Sequence, residues 1–204
     1  MPPGSERFIF KDMVYAGYKE SPPSWAMDQP KPPPTGGWYA GKQYDSDVAH
    51  VKAALADIGT YYPGATDYKI AGFFWWQGDK DTKTEAYGAN YETNLVRYIY
   101  QLRKDFEAPD AKFVLATLGQ TAIDDTESST EKNILKGMLS VDGTVGKYPG
   151  FTGNVATVYS HPLSRGSTSS AHYGGNAETY MEVGLAMGKA MAELNSDSWD
   201  GAAS

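Results

Sequence analysis

Two spacings of apolar residues alternate along residues 45–194: short unbroken runs suited to a pleated strand, and recurrences every three or four positions that mark one face of a helix. Val48, Val51, Leu55 and Ile58 share one helical face, with Asp45 or Ser46 available as a cap and Gly59 and Pro63 to close it. Tyr68 to Trp76 is apolar and aromatic, too short for a typical helix, and reads as a buried strand. Tyr91, Leu95, Ile99, Leu102 and Phe106 then give a second helix, stopped by Pro109. Lys112 to Leu118 is the next strand. Ile134, Leu135, Met138 and Leu139 mark a third helix before the loop from Gly143 to Gly153. Asn154 to Ser160 is a third strand and Asn176 to Leu194 a last, long helix. Such alternation predicts a mostly parallel sheet between helices, a three-layer α/β/α sandwich. Right-handed crossovers place the loops at 77–90, 119–130 and 160–175 on one edge of that sheet. The strand ending in Gln77-Gly78-Asp79-Lys80-Asp81 therefore delivers a carboxamide and two carboxylates to the edge where sheets of this kind bind ligands.

Ahead of this core, Phe8-Ile9-Phe10 and Met13-Val14-Tyr15 flank Lys11-Asp12 as a short hairpin would. Ser21 to Gly37 carries prolines at 22, 23, 30, 32, 33 and 34, which forbid a hydrogen-bonded element. Trp25, Met27, Trp38 and Tyr39 give that stretch something to pack with, so it is expected as an ordered surface loop. Residues 1–42 decorate a single α/β domain over 1–204, a length that suits one core.

Composition narrows the function. A net charge of −7, a pI near 4.9 and no run of Lys or Arg argue against nucleic acid or an anionic membrane as partner. No apolar run approaches the roughly 18 residues of a spanning helix, and the start is unlike a signal peptide. Opening on Met1-Pro2-Pro3-Gly4, the chain is expected to be the inside of a longer protein. The absence of cysteine excludes disulfides, thiolate zinc sites and a thiol nucleophile. It is compatible with an exported parent protein and leaves the compartment open.

Three histidines can be weighed singly. His50, beside Ala49 and Val51 on the first helix, reads as a surface residue. His161 ends a strand ahead of Pro162, where it either bonds the turn backbone or meets a ligand. His172 lies directly before the last helix, where a loop can lower the imidazole into the crevice, and is the candidate general base. Asp79 and Asp81 are either site carboxylates or caps of the following helix, and two carboxylates are too few for a metal site. Gln77 can donate hydrogen bonds to a developing oxyanion without adding charge.

Trp76-Gln77-Gly78-Asp79 resembles the W-x-Q-G-E/D block of the SGNH-type carbohydrate acetylesterases related to sialate O-acetylesterase. His172-Tyr173-Gly174-Gly175-Asn176-Ala177-Glu178-Thr179-Tyr180, running into a helix with Gly184 and Gly188, resembles that family's histidine block. The likeness extends through residues 39–44, 102–106 and 154–158. It implies a flavodoxin-like α/β/α fold and a serine nucleophile activated by histidine. It also implies hydrolysis of acetyl or similar esters on carbohydrate, with neither metal nor cofactor. By position, the resemblance makes His172 the base, Asp79 its acidic partner or a site carboxylate, and Gln77 the oxyanion donor. Trp76, Tyr173 and His161 become substrate contacts.

Two departures qualify the likeness. Ser169 stands where many relatives carry an Asp three residues before the histidine, and the Gly-x-Ser block that supplies the nucleophile is absent. Ser5 precedes no helix, Ser140 sits at a helix end, and Ser160 ends a strand without a glycine turn to expose it. The nucleophile is thus unassigned. The chain is expected to be the C-terminal portion of a longer esterase domain, inactive alone, acting on an acetylated carbohydrate or other small ester. A non-catalytic carbohydrate-binding or scaffold domain is the alternative, with Trp25, Trp38, Trp75, Trp76 and Tyr173 forming an aromatic crevice. A nucleotide enzyme lacks the glycine-rich loop it would need.

Overall fold

The computed structural model describes residues 42–125 and 129–196. The proposed hairpin and proline loop, with Trp25, Trp38 and Ser5, lie outside them. In chain order the elements are α1 (Lys42–Ala56), α2 (Ile58–Tyr61), β1 (Gly72–Trp75), α3 (Glu85–Asp105), β2 (Lys112–Ala116), α4 (Ser129–Ser140), β3 (Val155–Val158) and α5 (Ala177–Ser196). The strands form a parallel sheet in the order β1-β2-β3, with Gly72 to Trp75 opposite Lys112 to Leu115 and Phe113 to Ala116 opposite Val155 to Val158.

Period-2 alternation sorts the strand residues between two cores. Phe73, Trp75, Phe113, Leu115 and Val155 face α1, α3 and α4, where Tyr91, Leu95, Ile99, Ile134 and Met138 complete the larger core. Val114, Ala116, Ala156 and Val158 face the other way and meet Val183, Met187, Met191 and Leu194 of α5. The result is the expected three layers. Gly72 lets α5 approach: a Cβ there would stand 2.7 Å from the Lys112 carbonyl and from Met191. Since α5 packs on β2 and β3, Phe74 on the outer strand keeps 56% of its surface exposed.

The first helix departs from its pattern. It begins at Lys42, ahead of Asp45 and Ser46, so neither starts it, and Gly59 is carried through into α2. Val51 is exposed. Tyr44, absent from the periodic set, is the buried residue of this helix, and its hydroxyl donates to Asp105 Oδ2 at the end of α3 (2.7 Å). Of the face Val48, Val51, Leu55 and Ile58, Val48 packs against the core, and the Tyr44 ring with its polar tip is the main anchor of α1.

Arg103 fastens the opposite end of the sheet. Buried within α3, it donates from Nε to the Ala111 carbonyl (2.9 Å) and from an η nitrogen to the Asn154 side-chain oxygen (2.7 Å), so one guanidinium ties down the approaches to β2 and β3.

Candidate active site

The site grows out of the end of β1. Gly78 adopts φ +145°, and a Cβ on it would lie 3.0 Å from Met138 Cε and 3.2 Å from the Tyr91 hydroxyl, so the turn requires glycine. Tyr91 steadies that turn by donating to the Gln77 carbonyl at 2.7 Å, while Trp75 Nε1 donates to the Tyr91 oxygen at 3.4 Å. Burial, reinforced by the charge of Asp81, raises the Tyr91 pKa far above that of a free phenol, so it remains a donor across the accessible pH range.

The two carboxylates of this turn have separate surroundings. Asp81 is fully buried and accepts from Gln77 Nε2 at 2.7 Å. Asp79, on the cavity side, is about 30% exposed and accepts at Oδ1 from the Ser169 hydroxyl at 2.6 Å, with Lys83 Nζ 3.8 Å away. Neither caps α3, which starts after Thr84. A carboxylate accepts only, so Asp81 fixes which end of the Gln77 amide faces it. Gln77 Oε1 is left buried with no hydrogen-bond partner among the described residues.

His172 comes from the turn Ser169–Gly175, and its backbone is unusual. His172 (φ 50°), Tyr173 (φ 51°), Gly174 (φ 63°) and Gly175 (φ 71°) all lie in the left-handed region. For the two non-glycine residues this costs about 1–2 kcal/mol each. The surroundings hold the turn in place. Thr168 O accepts from both Ala171 N (3.2 Å) and Tyr173 N (3.0 Å), and the Tyr173 hydroxyl accepts from Gly119 N–H (3.2 Å). The buried Tyr173 ring stacks on Trp76 at 5.4 Å, and Tyr180 meets both rings edge-on. Burial of Tyr173 raises its pKa, so it too stays protonated. With Tyr173 turned inward, its neighbour His172 is presented outward, and the His172 ring has no hydrogen bond among the described residues.

Trp76, Gln77, Asp79, Ser169, His172 and Tyr173 thus line one open cavity of about 480 Å³ beyond the carboxyl end of β1 and β2, with Leu118 and Tyr180 also in its wall. Gln77 and His172 stand 95 positions apart in the chain and share this edge because their segments leave the same sheet edge. Among the described residues no group of three or more His, Asp or Glu is placed to hold a metal ion.

Two expected members sit elsewhere. The His161 Nδ1 is 2.7 Å from the Gly119 carbonyl and its ring stacks on Tyr159, outside the lining of the cavity. A carbonyl only accepts, so Nδ1 carries the proton and the ring serves the turn backbone. Trp75 does not belong to an aromatic crevice: it is buried on the α3 face against Tyr98, because adjacent strand residues point to opposite sides of a sheet. Ser160 is fully buried, its hydroxyl donating to the Thr117 carbonyl at 2.5 Å, and Ser140 ends α4 and bonds Lys136 O. His50 is exposed on α1.

Sequence reading overlooked Ser169 and Tyr180 as cavity residues. Both lie in or beside the histidine block, but only their distances to Asp79 and Trp76 reveal them.

A family model described as carbohydrate esterase, sialic acid-specific acetylesterase, matches residues 25–193. The chain belongs to this family. The match spans β1 to β3, the larger core, all but Leu194 of the smaller one and the whole cavity, so the three-layer arrangement is that of a carbohydrate esterase of the sialic acid-specific acetylesterase family. Comparison with curated proteins and with solved structures gives no match.

Proposed function

We propose that the cavity beyond β1 is the acyl-transfer site of a serine-type acetylesterase acting on acetylated carbohydrate. His172 is its general base, Asp79 the carboxylate that orients the imidazole, and Gln77 a donor to the tetrahedral oxyanion. The observation that carries this is the convergence of Gln77, Asp79 and His172 on one cavity wall, which Trp76, Tyr173 and Tyr180 also line.

In this reading the serine attacks the acetyl carbonyl while His172 takes its proton. The tetrahedral oxyanion receives the second N–H of Gln77 Nε2, the first being given to Asp81. His172 then returns the proton to the sugar hydroxyl as it leaves, and a water repeats the sequence to release acetate. Asp79 Oδ1 is held by Ser169, and in this proposal the exposed His172 ring turns toward the other oxygen. Half-buried Trp76 and the exposed Tyr180 ring offer apolar surface for the C–H groups of a pyranose, with the buried Tyr173 ring backing Trp76, while the cavity mouth leaves room for the rest of the sugar.

The nucleophile belongs, in this proposal, to a Gly-x-Ser segment upstream, on a strand that pairs with the outer edge of β1. That edge has no partner strand among the described residues, and Gln77 lies at its end. The test is hydrolysis of p-nitrophenyl acetate and of an acetylated sugar by the 204-residue chain and by a version extended upstream. The extended version should hydrolyse the ester and its His172→Ala variant should not. Turnover by the 204-residue chain that one of its own serines abolishes would overturn the assignment of the nucleophile. Retention of acetylated sugar by both forms with hydrolysis by neither would favour a binding domain on the same fold.

A further inference from the structure

Ser169 joins two segments that are 90 positions apart in sequence, and it does so at a carboxylate of the site. Its hydroxyl donates to Asp79 Oδ1 at 2.6 Å, and its backbone N–H points to Gln120 Oε1 at 3.4 Å. The loops that leave β1, β2 and β3 therefore meet at one serine. A hydroxyl has one proton to give, and here it is given to a carboxylate, which makes the bond stronger than one between neutral groups. The other group near Oδ1 is Lys83 Nζ, at 3.8 Å and half exposed, beyond hydrogen-bond range and open to solvent screening.

A free carboxylate on a surface turn can rotate and present either oxygen. The Ser169 bond stops that rotation, so Oδ2, which has no hydrogen-bond partner among the described residues, is the open oxygen for a ring on the Ser169–Gly175 turn, and His172 is the histidine of that turn. The serine also joins the two segments that carry the pair. It is three residues before His172, and its bond to Asp79 sets the distance from the left-handed turn to the end of β1.

We propose that Ser169 is a positioning residue of the site: by holding Asp79 Oδ1 it leaves Oδ2 as the acceptor for the His172 Nδ1–H. This rests on the assignment of His172 as base and Asp79 as its partner. Ser169 acts entirely through Asp79 and contacts no reacting atom. Its hydroxyl is unsuited to the nucleophile's role because the hydroxyl proton faces a carboxylate, a far weaker base than imidazole.

The experiment reads the imidazole itself and needs no turnover. In the 15N-labelled 204-residue chain, proton–nitrogen correlation spectra show which nitrogen of each of the three histidines carries the proton, and the set lost in His172→Ala assigns His172. The wild-type chain, at mildly alkaline pH, should favour the Nδ1–H form. Ser169→Ala should reduce the ratio of Nδ1–H to Nε2–H about tenfold, the scale of one lost hydrogen bond to a charged group. Ser169→Thr should restore it. Asp79→Asn should remove the Nδ1–H preference altogether. If Asp79→Asn changes the ring signals and Ser169→Ala leaves them unchanged, Ser169 is a mere tether and the proposal fails. If neither variant changes them, the pairing of Asp79 with His172 fails as well. Should Ser169→Ala fail to fold, Ser169→Cys, a far weaker donor of similar size, decides: an Nδ1–H preference equal to wild type in that variant overturns the proposal.

Discussion

Gln77 reaches forward along its own turn and donates from Nε2 to the carboxylate of Asp81 at 2.7 Å, so the amide in the cavity wall is oriented by a charge that never sees solvent. The pair separates the roles of the two aspartates: Asp81 secures the donor, and Asp79 remains available at the cavity wall. Gln77→Glu should therefore be far more damaging than its isosteric shape suggests. Two carboxylates would share a buried site and one would have to take up a proton. Its folded-state pKa would rise above the unfolded value, the folded state would bind the extra proton, and stability would fall as pH rises. Thermal unfolding should show the deficit against wild type largest near neutrality, shrinking as pH falls toward about 4.3 and smallest below it. A deficit independent of pH would mean that the Gln77–Asp81 contact is absent.

The left-handed turn gives a second test. Because φ at His172 is +50°, a glycine there suits the backbone and an alanine does not. Both variants lose the imidazole, so comparing them isolates the strain. His172→Gly should be more stable than His172→Ala by about 1 kcal/mol, measured by denaturant unfolding. The reverse order would show that His172 has an ordinary helical or extended backbone.

Arg103 should tolerate no substitute. Lysine keeps the charge but lacks the fork that reaches Ala111 O and Asn154 together. Arg103→Lys should cost about 3 kcal/mol, the scale of breaking a buried charged contact, without a specific effect on cavity ligands. An unfolding midpoint within error of wild type would contradict the anchoring role.

A cluster distant from the cavity predicts the acid and alkaline limits. Burial alone would raise the pKa of Glu92, but hydrogen bonds from Lys147 (2.6 Å) and the Tyr148 hydroxyl outweigh it and bring the value below the usual 4.5. Burial and the same carboxylate push Tyr148 up to about 12. For Glu92 the unfolded chain binds the proton first, so its stabilisation is complete above about pH 4.5 and is lost as pH falls through the folded value. For Tyr148 the folded chain keeps the proton longer, so stability declines as pH rises above about 10. Glu92→Gln should flatten both limbs of the stability profile. An unchanged acid limb would exclude Glu92 as its source.

The order of elements and the edge that carries the site were legible in the sequence, because both follow from local rules. Strands and helices differ in the period of their apolar residues, and right-handed crossovers put every strand-to-helix loop on one side. Gln77, Asp79 and His172 could be gathered on that edge from chain position alone. What the string of residues does not contain is distance and burial. It lists Asp79 and Asp81 as equals, yet one is sealed against Gln77 and the other opens to the cavity, since two residues along a tight turn point in different directions. Ser169 reads as a gap in a motif, and its role exists only because folding brings it to Asp79. The left-handed backbone at His172 and Tyr173 is likewise decided by the tertiary structure: local preference disfavours it, and the burial of one tyrosine ring against Trp76 and Gly119 overrides that preference.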